Sequence, residues 1–431
     1  MAYKTPTELK ARFEGGDIPN EQDFIDFIDN THLEVINVKA GGAAGDGSTD
    51  DTTVLQTLIT TAETNGAALY FPPTSTFYNI TSPLLVRGPI LIYGAGDKSL
   101  IKNTQTITPP DDAPGDCFFF GNGNGQFLDD VTSFSCSNIS QGDEKVTSAT
   151  ATGIAVGDPV WIRSAAFYTG LDSEEIPDFM QLNEVTAISG NDYTMLHPID
   201  EDVTSPLMAP ANTSQAQGAL GNNLFVARNV HVRNIAAESV NSRPIQYGNA
   251  LDCTFHFTLL KGLDGIFGNA WTNCRWNVDR IIVTRKLQDI ALSSSNTIVN
   301  VVRADFFESG EASVSQLTIG ENSRNVQCNY GLINMGEAAL TNPLVQLSEV
   351  RQCEVNVGRL ISESHAQNVV SFISNAKTPT QSPTHDNRVR IGTFNGGSSL
   401  TRFVRYDDSG GENKRNDVLG GRFTGTVSHE A

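Results

Sequence analysis

From about residue 230 to the C-terminus, apolar and polar residues alternate in short runs that return every few tens of residues. Val230, Cys253, Cys274, Val299, Val326, Cys353, Val389 and Val418 each open such a run, usually behind an Asn, Asp, Gln or Arg. Subtracting residue numbers gives steps of 23, 21, 25, 27, 27, 36 and 29. Alternation puts every second side chain on one face of a strand. Strands repeated at this period predict a solenoid whose coils share one core. In that register Cys253, Phe255 and Phe257, Cys274, Trp276 and Val278, and Cys353, Val355 and Val357 point inward, and the thiols form a buried ladder of small hydrophobes. The 36-residue step holds 377–387, rich in Pro, Thr, Ser and Gln, and predicts a loop projecting from one coil.

The N-terminal part follows other periods. Thr5, Pro6 and Glu8 make a capping box for a short helix ended by Gly15-Gly16. Asn20 caps a second helix, whose Phe24, Phe27 and Ile28 share one face that two small helices cannot cover alone. Further on, Asp50 as N-cap and Asp51 at the positive end of the dipole open a helix with a stripe of Val54, Leu55, Leu58, Ile59 and Ala62, closed by Asn65-Gly66. The strand Ala68 to Phe71, halted by Pro72-Pro73, comes next, then the strand Ile90 to Tyr93. Between Val131 and Pro206 the runs Val156 to Arg163 and Val185 to Met195, the latter turning at Ser189 to Asp192, predict a small antiparallel insertion.

Composition agrees with a β protein: 38 Gly, 18% charged residues and 5 Met are poor material for long surface helices. A formal charge of −20 argues against nucleic acid and disfavours a strongly anionic substrate. No apolar run is long enough for a membrane span or follows the N-terminus as a signal peptide would, so synthesis in a cytoplasm and six free thiols are expected. The cysteines form no CxxC pair and the seven His are scattered, so no metal or cofactor is called for. Gly94 to Ser99 fits no phosphate-binding pattern, and capping explains Asp46, Asp50 and Asp51 without a metal.

GDGSTDDTTVLQ from Gly45, ALYFPPTSTFYNI from Ala68 and LIYGAGDKSLI from Leu91 resemble the opening of the pectate-lyase-like β-helix family of phage tailspikes and microbial polysaccharide lyases. The resemblance spans about Val38 to Lys102. It departs at Pro73-Thr74-Ser75-Thr76, where the family has Pro-Gly-Thr. It implies a right-handed parallel β-helix, all-β in class, whose Asp50–Ala62 helix caps one end. It also implies a homotrimer held to a virion by its N-terminus and meeting a host surface polysaccharide. LKARFEGGDIPNEQDFIDFID is similar to segments opening phage tail-fibre proteins, which points residues 1–34 at tail or adaptor proteins. The expected division is 1–34 for attachment, 35–130 for the cap and first coils, 131–208 for the inserted antiparallel β lobe and 209–431 for the remaining coils.

Cleaving a glycoside by hydrolysis takes two carboxyl groups, one to protonate the leaving oxygen and one to activate water or attack the sugar. The coils offer Asp264, Asp279, Asp289, Asp305, Glu308, Glu311 and Glu337; Asp279, Asp305 and Glu308, in or after successive central strands, are the catalytic candidates. Asp264 and Trp271 are the glycan-binding candidates, Trp271 because Gly268-Asn269-Ala270 reads as a turn that would expose a flat ring to sugar. Trp161 also offers such a ring, whereas Trp276 alternates with core positions. Three classes stay open at this stage: a depolymerising tailspike, a non-cleaving receptor-binding or adaptor spike, and a cellular polysaccharide lyase or glycoside hydrolase.

Overall fold

The structure, a computed structural model, describes residues 34–424 apart from 107–114, 122–132, 166, 170–174, 178, 212–225, 292–293, 307–316, 321–322, 336–342, 349, 363–368, 374–385, 397–403 and 408–415. The two helices expected before residue 34 and the loop expected at 377–387, but for its last two residues, lie outside the described residues.

Strands from Val35–Asn37 to Asp417–Thr424 stack in parallel as one 19-stranded system, a right-handed parallel β-helix. The register runs unbroken through the later coils. Thr254 pairs with Arg275, then Ile298, Gln327, Glu354, Arg388 and Asp417, steps of 21, 23, 29, 27, 34 and 29 by subtraction. One inward column carries Val230, Cys253, Cys274, Thr297, Val326, Cys353 and Asn387; the next, two residues on, carries Val232, Phe255, Trp276, Val299, Cys328, Val355 and Val389. All are buried. The apolar series read from the sequence therefore crosses between columns at Val299 and Val389. It does so where the first column turns polar, at Thr297 and Asn387. Asn387 is satisfied there: its Oδ1 accepts from the Cys353 amide at 2.8 Å and its Nδ2 donates to Val350 O at 3.0 Å.

A backbone ladder explains the polar residue ahead of each run. Asn229, Asp252, Asn273, Asn296, Asn325, Gln352 and Asp386 all have φ between 50° and 58°, and turn the chain from one coil into the next. Short polar side chains tolerate this left-handed conformation better than β-branched ones do. Inside the lower coils the ladder encloses an aromatic stack, with Phe255 and Trp276 rings 3.8 Å apart and Phe120 and Phe255 rings 4.7 Å apart.

The helix Thr52–Asn65 closes the N-terminal end by burying Leu55, Ile59 and Ala62. The N-cap is Asp51, one residue later than the pattern implies, and its side chain does not cap. Its buried carboxylate accepts instead from the Ala44 and Gly45 amides at 2.6 and 3.0 Å, fastening the preceding loop, while Asp50 accepts from the Thr52 amide at 3.0 Å.

The lobe leaves the solenoid after the strand Phe118–Phe120 and returns at Ala227–Arg228, which pairs with Ala250–Leu251. At the exit Gly121 has φ 75°, and a Cβ there would lie 2.1 Å from Asn249 O, so only glycine fits. Six strands between Phe134 and Pro210 form an antiparallel sheet with its own core around Val146, Ile162 and Met208. The lobe lies back along the turn ladder. Arg228 reaches Glu184 at 3.1 Å, Asp252 meets His197 at 2.8 Å, Arg324 meets Asp200 at 3.2 Å and Arg351 meets Glu201 at 2.5 Å. Arg324 is buried beneath the Phe179 ring, 4.5 Å from its centroid. Among the described residues no helix is long and apolar enough to cross a membrane.

Candidate glycan-binding face

Each later coil turns a corner between its first two strand limbs, and there two outward residues follow one another. Asn277 points out, Val278 in, Asp279 and Arg280 out, and Ile281 in again. The first outward row contains Asn277, Asn300, Asn329 and Asn356, paired rung to rung. The carboxamide Nδ2 of Asn300, Asn329 and Asn356 donates to the Oδ1 of the asparagine on the coil before it, at 3.0, 2.8 and 2.8 Å. An amide in such a ladder spends one N–H and one oxygen lone pair on its neighbours, and keeps its second N–H for solvent or a ligand.

The corner row is Asp279, Val302, Gly331, Gly358 and Gly392. A Cβ at Gly331, Gly358 or Gly392 would stand 2.6–2.7 Å from the carbonyl oxygen of the coil beneath, so close backbone approach demands glycine, and the corner carries no side chain there. Beyond it runs the row Leu259, Arg280, Arg303, Leu332, Arg359 and Thr393. The corner thus runs along the solenoid axis with amides on one side and three arginines on the other; it is bare at Gly331, Gly358 and Gly392 and carries the exposed Asp279 and Val302 beside Arg280 and Arg303.

Asp305 anchors this second side. Its side chain is 1% exposed, and it accepts from Arg280 Nε at 2.9 Å, from Arg303 Nε at 2.8 and 2.9 Å and Nη2 at 2.7 Å, and from Asn334 Nδ2 at 3.4 Å. Burial acts to raise its carboxyl, but the Arg303 and Arg280 hydrogen bonds and the Arg303 charge outweigh it and hold the pKa below the ordinary value. The same pairing raises the Arg303 guanidinium. A carboxylate so saturated neither donates a proton as an acid nor has a free lone pair to act as a base. Expected as catalytic, Asp305 is instead the holder of two guanidinium groups that are themselves 45% and 47% exposed.

The other sequence candidates separate. Asp279 stands on the corner, 54% exposed, with its Oδ1 3.4 Å from His256 Nε2 on the preceding coil. Glu308 lies outside the described residues, as do Glu311 and Glu337. Asp264 does not face a ligand: it is buried, accepting from Arg285 Nε at 2.8 Å and Arg243 Nε at 3.3 Å, and Arg243 lies over the Phe267 ring at 4.0 Å. Asp289 is paired with Lys286 at 2.7 Å. Trp271 is 0% exposed, stacked 5.4 Å from Trp276. Its turn-like context is real, since Ala270 has φ 58°, but the turn is a coil corner that swings the indole inward. Trp161 is buried where the lobe meets the coils.

Sequence reasoning missed the asparagine row and its facing arginines. The signal was present as a repeat of apolar-Asn-apolar-x-Arg or Leu, in Trp276 to Arg280, Val299 to Arg303, Cys328 to Leu332 and Val355 to Arg359. Among the described residues no group of three or more His, Cys, Asp and Glu is arranged to hold a metal.

Residues 35–172 match the sequence family described as rhamnogalacturonase A/epimerase, pectate lyase-like. The fold is similar to the tailspike protein gp49 of Pseudomonas phage LKA1, at 14% identity and a TM-score of 0.51, covering 91% of this chain and 79% of that one. The tailspike gp61 of Pseudomonas phage phi297 aligns at 12% identity and TM-score 0.45, over 90% and 75% of the two chains. The gp54 tailspike of Acinetobacter baumannii bacteriophage AP22, solved with a capsular saccharide, aligns at 12% and 0.43, over 94% and 71%. The chain thus carries a right-handed parallel β-helix whose first part matches a pectate-lyase-like family model.

Proposed function

We propose that this chain is a phage tailspike that binds a polysaccharide of the host surface along the outward track between Asn277 and Arg359. The observation that carries this reading is the pairing of an asparagine ladder with arginines on a rigid parallel sheet. Successive rungs lie roughly 4.8 Å apart, a rise comparable to one sugar unit, so a linear polymer laid along the axis meets the same donors repeatedly. Rigid elements hold such contacts better than loops. Residues 1–34 attach the spike to the tail, and three copies assemble side by side on the virion.

Binding without cleavage is the form favoured by the chemistry of the carboxylates. Of Asp279, Asp305 and Asp264, Asp279 alone is open to solvent, with His256 as its partner. If the spike does cleave, this couple is the acid–base pair. The test is incubation with purified host surface polysaccharide, following binding, reducing ends for hydrolysis and absorbance of unsaturated uronate for elimination. Binding that is lost in Asn300→Ala with Asn329→Ala is expected; binding that survives both changes contradicts the reading. Cleavage abolished by Asp279→Asn would convert the spike into a depolymerase.

A further inference from the structure

We propose that the outer face of the capping helix Thr52–Asn65 is a docking surface, and that its occupant is the segment 20–30 of the same chain. The proposal is independent of the glycan face and concerns how the attachment segment is joined to the solenoid.

The face is unlike that of a solvated helix. Its exposed residues are Thr53, Thr57, Thr60, Thr61, Thr64 and Asn65, none of them charged, in a chain whose formal charge is −20. The two longer polar side chains of the helix turn back onto the solenoid. Gln56 brackets Leu85, donating to its O at 3.0 Å and accepting from its N at 2.8 Å, and Glu63 accepts from the Gly88 amide at 2.9 Å. Thr57, Thr60, Thr61 and Thr64 form one stripe at i, i+3, i+4 and i+7. Each donates its hydroxyl to the carbonyl four residues before it, at 2.8–3.0 Å, so the stripe keeps its methyl groups and no free hydroxyl proton. Threonine is a weaker helix former than the long polar residues that favour a watered face. Its small side chain instead suits close contact with a second helix, whose axis can then approach to about 8 Å.

The occupant follows from where the chain enters. Glu34 O accepts from Ala68 N at 2.7 Å, two residues past the Gly66 C-cap, so the residues before Glu34 arrive beside the C-terminal end of the helix. Six residue steps separate Ile28 from Glu34 and span at most about 20 Å. The 14-residue helix is roughly 21 Å long. The apolar face of Phe24, Phe27 and Ile28, itself spaced i, i+3 and i+4, can therefore be laid on the threonine stripe. The same segment carries Glu21, Asp23, Asp26 and Asp29, which an uncharged face accepts and an acidic one would repel. Docked in this way, the attachment segment is a rigid extension of the solenoid and not a tether.

The test is thiol labelling of the full chain carrying Thr61→Cys, mapped by peptide, with Val156→Cys at a 60% exposed lobe position as control. Thr61→Cys should react about tenfold more slowly than the control, and adding Phe24→Ser with Phe27→Ser should restore the control rate. Hydrogen exchange at residues 20–30 gives a second readout: it should be slow in the full chain and about tenfold faster in Thr57→Glu with Thr61→Glu. Glutamate is the better helix former, so on a solvated face the same pair would leave both the helix and residues 20–30 undisturbed. Thermal unfolding shows whether each variant is folded. Labelling of Thr61→Cys at the control rate overturns the docking surface, as does exchange at 20–30 that ignores the glutamates. Protection that survives the phenylalanine changes assigns the face to another occupant, and protection that disappears on dilution assigns it to a second copy; either overturns the place given to segment 20–30.

Discussion

Asp264 and Asp305 are the same local arrangement twice. Each is a buried aspartate on the β-helix wall clamped by two arginines. They differ in what covers the arginines. Around Asp264, Arg243 and Arg285 are 13% and 22% exposed, and Arg243 stacks on the Phe267 ring. Around Asp305 the two arginines are nearly half exposed and border the asparagine track. The first arrangement is closed and consumes its charges in holding a coil corner. The second is open, with the carboxylate inside and the cations at the surface. Their contrast teaches that on this wall a buried aspartate reports where arginines have been fixed, and that around Asp305 those arginines reach the surface.

The most drastic way to break the comparison is to remove each carboxylate. Asp264→Ala leaves two sheltered guanidinium groups facing each other and is expected to cost about 3–5 kcal/mol, read by denaturant unfolding. Asp305→Ala lets Arg280 and Arg303 turn into water and is expected to cost roughly 1–2 kcal/mol, the charged hydrogen bonds being discounted for solvent. Equal costs would show that the two clamps do not differ as described.

Acid sharpens the difference at Asp305. Its folded carboxyl lies below the ordinary value, so its stabilisation is complete above the unfolded carboxylate pKa of about 3.9 and is lost as pH falls below it. The stability gap between wild type and Asp305→Asn should therefore narrow on acidification from neutrality to the acid limit of folding. A gap that widens would contradict the clamp.

The smallest effect concerns the thiols and compares the lobe with the coils. Burial pushes Cys328 and Cys353 up to about 12, and Cys136, part-exposed in the lobe, to about 11. Thiolate is the reactive form. Slow native labelling confined to Cys136, with all six thiols appearing in denaturant, is expected. Rapid labelling of Cys253 or Cys274 would place them outside the core.

Much of this was legible in the sequence. The alternation, the repeat, the capping helix with Leu55, Ile59 and Ala62 inward, and the antiparallel insertion all follow from periodicity, because burial enforces it. The register was legible only in part. Where Thr297 and Asn387 replace apolar residues, their hydrogen bonds substitute for hydrophobicity, and an apolar search slides two places to Val299 and Val389. The site was least legible. A search for paired carboxylates finds Asp264 and Asp305 but cannot see that arginines from neighbouring coils saturate them. Trp271 looked exposed because a coil corner and a surface turn share the same residues. The asparagine row was readable as a repeat, yet its meaning depends on rungs brought together across steps of 23 to 29 residues.

The claim on which everything else depends is that the polysaccharide lies along the track between the asparagine row and Arg280 and Arg303. A structure of the full chain bound to an oligosaccharide from its host's surface tests that directly. Sugar density running along the helix axis over Asn300 and Asn329, beside Arg280 and Arg303, is the expected result. Ordered sugar on the lobe or on another face of the coils, with this track empty, would contradict it.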